Sequence, residues 1–187
     1  MAMKKIWFVV IVLLGMSLVL YGVLQAAGSG EKPKPKKETK AEVLQPQRCV
    51  VKASGRSLWD YLQKVNYRKE FHMWPGTAAF RKGTEPHGPL VTTWLNGDAW
   101  FIVDSKKFDR FADDSLIVQE DYSPDKKLKS ISIMYKETGF NPGGADWFWA
   151  KYGPDGKIEV EGCAAKCIDC HAKKKSNDYV VTGSIKK

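Results

Sequence analysis

In this chain of 187 residues, Cys167-Ile168-Asp169-Cys170-His171 sets two thiols and an imidazole in the spacing C-x-x-C-H. That spacing is the attachment signature of a c-type haem. Each thiol adds to a vinyl group of the porphyrin, and the two-residue spacer keeps both sulfurs on one side. The imidazole of the next residue then reaches the iron, which makes His171 the proximal ligand.

Other chemistries use parts of the same pattern. Cys163 extends the run to C-x3-C-x2-C, as in some iron–sulfur enzymes, and C-x-x-C alone serves zinc ribbons and redox dithiols. A structural zinc site wants four Cys or His ligands, and the one remaining cysteine is the distant Cys49. A redox dithiol heads a helix after a strand in a βαβ unit, whereas this motif follows the hairpin-like run KYGPDGKIEVEG. Iron–sulfur radical chemistry needs a large α/β barrel, which this length does not provide. The expected cofactor is therefore one covalently attached haem c.

The amino-terminal region sets the compartment. Lys4 and Lys5 precede nineteen uncharged residues, 6–24, and then Gln25-Ala26-Ala27-Gly28. A positive start and apolar core mean export, and the core is nearer the roughly 20 residues of a membrane span than the 7–15 of a signal peptide. Residues 1–27 are thus expected to be a signal anchor in the cytoplasmic membrane, with cleavage after the small residues as the alternative. The lysines hold the amino terminus inside, so the remainder faces the periplasm, or the exterior. Residues 28–47, with three prolines and five lysines, read as a solvated tether. Residues 48–187 form one domain with a net charge of +5, which is read as solubility and leaves no expectation of nucleic-acid binding.

Within that domain, Ser57 and Asp60 resemble a capping box, and Leu58, Tyr61, Leu62 and Val65 recur at helical spacing, predicting a helix over 57–67. Residues 71–89 carry no period and are expected to form a loop over the haem. From Leu90 the pattern turns to strands: LVTTWL and DAWFIV around Asn96-Gly97, a tight-hairpin signal. A short helix is expected over 105–112. SLIVQEDY with LKSISIMY, and DWFWAKY with residues 157–160, give two further antiparallel pairs. The fold class is α+β, a mainly antiparallel sheet with a few helices, unlike a small helical cytochrome.

The C-x-x-C-H after these strand pairs, together with WPGT at 74–77, EPHG at 85–88, MYKETGFNPGGADWFWAKYGPDGKIEVEG at 134–162 and SNDYV at 176–180, resembles the cytochrome P-460 family. The resemblance implies a β-rich haem domain in which Cys167, Cys170 and His171 hold the cofactor, and it raises a homodimer as an expectation. The family includes hydroxylamine-oxidising enzymes with a lysine-linked haem and gas-binding relatives. Lys82, Lys106 and Lys107 are the lysines offered by type for such a link, without a motif to select among them.

What lies opposite His171 divides electron transfer from small-molecule chemistry. His87, in Glu85-Pro86-His87-Gly88, is the distal candidate, with the hydrogen-bonded turn histidine as its plain alternative. His72, Met73 and Met134 are weaker candidates that read as packing. Phe71, Phe80, Trp147, Phe148 and Trp149 offer aromatic surface to wall a porphyrin, or ordinary core. Glu120 and Glu137 are candidate proton relays, though strand carboxylates are usually solvated. Cys49 and Cys163, left over in an oxidising compartment, are expected to form a disulfide that stabilises the domain by roughly 2–4 kcal/mol. The leading expectation is a membrane-tethered mono-haem electron carrier serving redox partner proteins. The alternatives are hydroxylamine or nitric oxide chemistry and gas binding.

Overall fold

The structure is a computed structural model that describes residues 53–185. The expected membrane segment, the tether and Cys49 lie outside the described residues. Among the described residues no helix is long and apolar enough to cross a membrane.

Helix α1 spans Gly55–Val65. It begins two residues earlier than its apolar period suggests, because the cap is Ser54: its Oγ accepts the Ser57 N–H (3.1 Å) and its N–H donates to Ser57 Oγ (3.1 Å). Ser57 is therefore the reciprocal member of the box, and Asp60 instead pairs with Arg56 one turn back at 3.5 Å. Asn66, left-handed at φ 51°, ends α1 and leads into a single further turn, α2 (Tyr67–Glu70).

Seven strands form one antiparallel sheet. They are β1 (His72–Met73), β2 (Arg81–Lys82), β3 (Leu90–Leu95), β4 (Leu116–Tyr122), β5 (Leu128–Lys136), β6 (Trp147–Tyr152) and β7 (Ile158–Gly162). The order is β1-β3-β4-β5-β6-β7, with β2 also paired to β3, so from β3 onward it is a meander. The stretch 71–89 is irregular as expected, except where its two-residue strands borrow hydrogen bonds from β3.

The segment 98–103 is not a strand. It belongs to helix α3 (Gly97–Ser105), and Asn96 is its cap rather than a hairpin corner. Asn96 Oδ1 accepts both the Ala99 N–H (3.1 Å) and the Leu116 N–H (2.9 Å), so one side chain starts the helix and ties it to β4. Ala99, Ile102 and Val103, at helical spacing, bury one face, and Phe101 on the other is 56% exposed. The helix expected over 105–112 is absent: α3 stops where Lys106 turns left-handed (φ 52°), and an irregular segment follows.

The sheet divides the core in two. One face packs Leu116, Val118, Ile131, Ile133 and Phe148 against Leu58 and Leu62 of α1. The other carries Leu95, Ile117, Met134 and Trp149, and covers itself with α3 and the C-terminal segment around Tyr179, Val180 and Ile185. The fold is α+β, as the strand pattern implied.

Candidate functional site

Helix α4 (Ala165–His171) follows the last strand and carries the C-x-x-C-H motif. Cys167, Cys170 and His171 stand at i, i+3 and i+4, which puts them on one helical face. All three line a cavity of about 460 Å³ whose floor includes Ile117, Met134 and Trp149 of the sheet. A volume in that range suits an organic cofactor.

His171 is held firmly. Its Nδ1–H donates to the Tyr179 carbonyl at 2.8 Å, and the Trp149 ring meets it edge-on with centroids 4.7 Å apart. Burial pushes the imidazole pKa below its ordinary value, opposed by the Tyr179 hydrogen bond and helped by nearby His87. The ring is thus neutral, with its proton on Nδ1 and its lone pair on Nε2, the state a metal ligand needs. Burial raises the Cys167 thiol pKa, and Cys167 and Cys170 are both free thiols. Cys163 is not among the free cysteines, and its expected partner Cys49 lies outside the described residues.

The loop bearing His87 is cinched between β2 and β3. A Cβ on Gly83 would sit 2.0 Å from the Gly88 carbonyl oxygen, so only glycine allows the two ends to close. The Glu85–Pro86 bond is cis, and the His87 N–H closes the turn on the Thr84 carbonyl at 2.9 Å. His87 lines the cavity, and its ring centroid is 6.4 Å from that of His171 with the planes at 84°. Its Nδ1 lies 3.3 and 3.4 Å from the two carboxylate oxygens of Asp121. Asp121 is buried and also accepts from Ser130 Oγ (2.9 Å) and Gln119 Nε2 (3.2 Å). A histidine backed by a fixed carboxylate is oriented, and its second nitrogen is left available to a ligand-binding role.

Two buried N–H groups on the cavity wall lack an acceptor: Arg81 Nε and Trp149 Nε1. Arg81 otherwise donates only to the hydroxyls of Thr93 (3.1 Å) and Thr182 (3.4 Å), and burial lowers its pKa. Orphaned donors on an apolar wall call for an occupant that carries acceptors. A porphyrin with its propionate carboxylates, two thiols for its vinyl groups and a neutral imidazole for its iron meets that donor set. A zinc site does not, since no group of three or more His, Cys, Asp or Glu suited to a metal occurs among the described residues.

Several sequence candidates fall elsewhere. His72 stacks on Trp100 at 4.8 Å, Met73 is 40% exposed, and neither lines the cavity, whereas Met134 does. Of the five aromatic residues only Trp149 walls it: Phe71 and Phe148 pack on the opposite sheet face, Phe80 meets Tyr122, and Trp147 is core beside Phe111. Glu120 is buried behind the sheet, accepting from Tyr67 Oη (2.9 Å), Trp94 Nε1 (2.7 Å) and Arg68 Nε. Glu137 accepts the Ala53 N–H at 3.1 Å, so both carboxylates serve the framework. Lys82, Lys106 and Lys107 do not reach the cavity, where the lysines are Lys151 and Lys166. Asp121 and Arg81 were missed from sequence. The signal for Asp121 was strand alternation, which sets 117, 119 and 121 of β4 on the face that bears Met134.

A family model described as Cytochrome P460 matches residues 76–182, more than half of the chain. No curated protein matches the chain.

Proposed function

The chain belongs to the cytochrome P460 family, which binds haem, and we propose that it holds one haem c covalently and transfers single electrons. The observation that carries this reading is the 6.4 Å between the rings of His87 and His171 in the same cavity. Two imidazoles on opposite sides of one metal, each with a metal–nitrogen bond of about 2 Å, have ring centres roughly 6 Å apart. Cys167 and Cys170 would anchor the ring and His171 would be the proximal ligand. His87, oriented by Asp121, would be the distal one, and Arg81 would donate to a carboxylate of the group. A haem held there would supply the one-electron chemistry, and the chain's own task would be to hold two histidines in place and keep water out. The anchor at residues 6–24, the tether and a Cys49–Cys163 bridge belong to the same proposal. They would place the domain on the periplasmic face of the membrane, free to swing between redox partners.

A second reading, a haem enzyme of hydroxylamine or nitric oxide, is favoured by family membership and by the Arg81 N–H, which would meet a small polar substrate if His87 stayed off the iron. Spectra separate the two. The ferrous wild-type protein is expected to be low-spin and unchanged by carbon monoxide, and His87→Ala to become high-spin and bind it. A wild-type protein that is high-spin and takes up the gas sinks the electron-transfer reading.

A further inference from the structure

The run SNDYV does more than follow the haem helix. Asp178 and Tyr179 are consecutive non-glycine residues in the left-handed region, at φ 51° and 66°. L-residues adopt that conformation singly and at a cost, so two in succession persist only where surrounding contacts impose them. The contacts converge on one buried cation. Lys136, at the end of β5, has its Nζ 2.8 Å from Asp178 Oδ2, 2.9 Å from Oδ1, 2.6 Å from the Ala145 carbonyl oxygen and 4.2 Å from the centre of the Trp147 ring. The lysine and aspartate side chains are each 5% exposed. Asp178 Oδ2 also accepts the Phe111 N–H (2.7 Å), and the Asp178 carbonyl accepts Trp147 Nε1–H (2.8 Å). Tyr179 is pinned by its hydroxyl on the Gly143 carbonyl at 2.9 Å, and its own carbonyl receives His171 Nδ1–H.

An ion pair this deep is not there for stability alone, because desolvation takes back most of its Coulomb energy. What it fixes is the direction of one carbonyl. We propose that the Lys136–Asp178 ion pair is the positioning device for His171: it holds the left-handed Asp178–Tyr179 pair so that the Tyr179 carbonyl receives the imidazole proton, which sets the donor strength of the axial nitrogen. This rests on the reading of His171 as an iron ligand. A hydrogen bond at Nδ1 makes the imidazole a stronger donor, which favours the ferric state. Loosening it favours the ferrous state, so the reduction potential rises.

The test is a redox titration of the exported, haem-loaded chain carrying Lys136→Gln with Asp178→Asn. The double variant leaves net charge unchanged, so a potential shift does not arise from an added or lost charge. The expected result is a shift of about tenfold in the ferric/ferrous equilibrium toward ferrous, about 59 mV upward for one electron. It should come with faster solvent exchange of the His171 Nδ1 proton in the NMR spectrum, and Lys136→Arg should restore both toward wild type. A folded double variant with the wild-type potential and exchange rate overturns the proposal. If the double variant does not fold, Asp178→Asn alone is read by the exchange rate of the His171 Nδ1 proton and not by the potential, which the unpaired Lys136 charge would shift by itself; asparagine tolerates the left-handed backbone. The underlying reading fails separately: it falls if His171→Gly leaves the wild-type spectrum intact.

Discussion

At the scale of single residues, the site depends on what stands behind each histidine. His171 is backed by a carbonyl and His87 by a carboxylate, so both rings have their Nδ1 committed and present Nε2. Asp121 is the easier to test, because its carboxylate meets only the side chains of His87, Gln119 and Ser130. Asp121→Ala removes the orienting carboxylate without touching the iron, and loss of such a partner typically weakens a metal–histidine bond 10–100-fold. The expected outcome is a mixed-spin ferric spectrum and a fraction of the ferrous protein that takes up carbon monoxide where the wild type takes up none, read by gas titration. The C-x-x-C-H residues are named by spacing and His87 by its turn, with a hydrogen-bonded turn histidine as its alternative, and the structure puts the side chains of Cys167, Cys170, His171 and His87 on one cavity. Asp121, Arg81 and the Tyr179 carbonyl are not so named, because their roles come from pairings between residues 8 to 101 positions apart that no local pattern announces.

At the scale of elements, the strands from β4 onward follow their alternation, and the errors gather where one residue has two meanings. Asn-Gly is the best short hairpin signal, yet asparagine is equally a helix cap. Here the cap wins, since Asn96 Oδ1 satisfies an N–H of α3 and one of β4 together. The apolar residues of DAWFIV fit either period over so short a run, so the sequence held no arbiter. Asn96→Ala is expected to destabilise the domain by about 2 kcal/mol, at the upper end for a helix cap because the Leu116 N–H is orphaned too. Urea unfolding of the haem-loaded protein, with an unchanged slope, is the measurement. The aromatic residues divide between wall and core for a related reason: DWFWAKY alternates, so Trp147 and Trp149 lie on one face of β6 and Phe148 on the other, and only one of the three lines the cavity.

At the scale of the whole molecule, the proposal divides the four cysteines of the sequence into two for the cofactor and two for a bridge. Non-reducing intact mass of the exported protein is expected to show one covalent haem and no thiol that an alkylating reagent can label. In Cys167→Ala/Cys170→Ala the haem should be lost while the protein stays unlabelled, because Cys49 and Cys163 remain bridged; two labels there would refute the bridge. All seven strands precede α4 along the chain, and each strand from β3 onward pairs with its sequence neighbour. Nearest-neighbour pairing keeps loop-closure costs low, so the sheet can assemble from local hairpins. A chain that emerges amino end first therefore presents every strand of the sheet before the attachment helix. Chain order thus follows the order of use: the strands of the seat come first, the thiols next, and the Tyr179 carbonyl that latches the imidazole last.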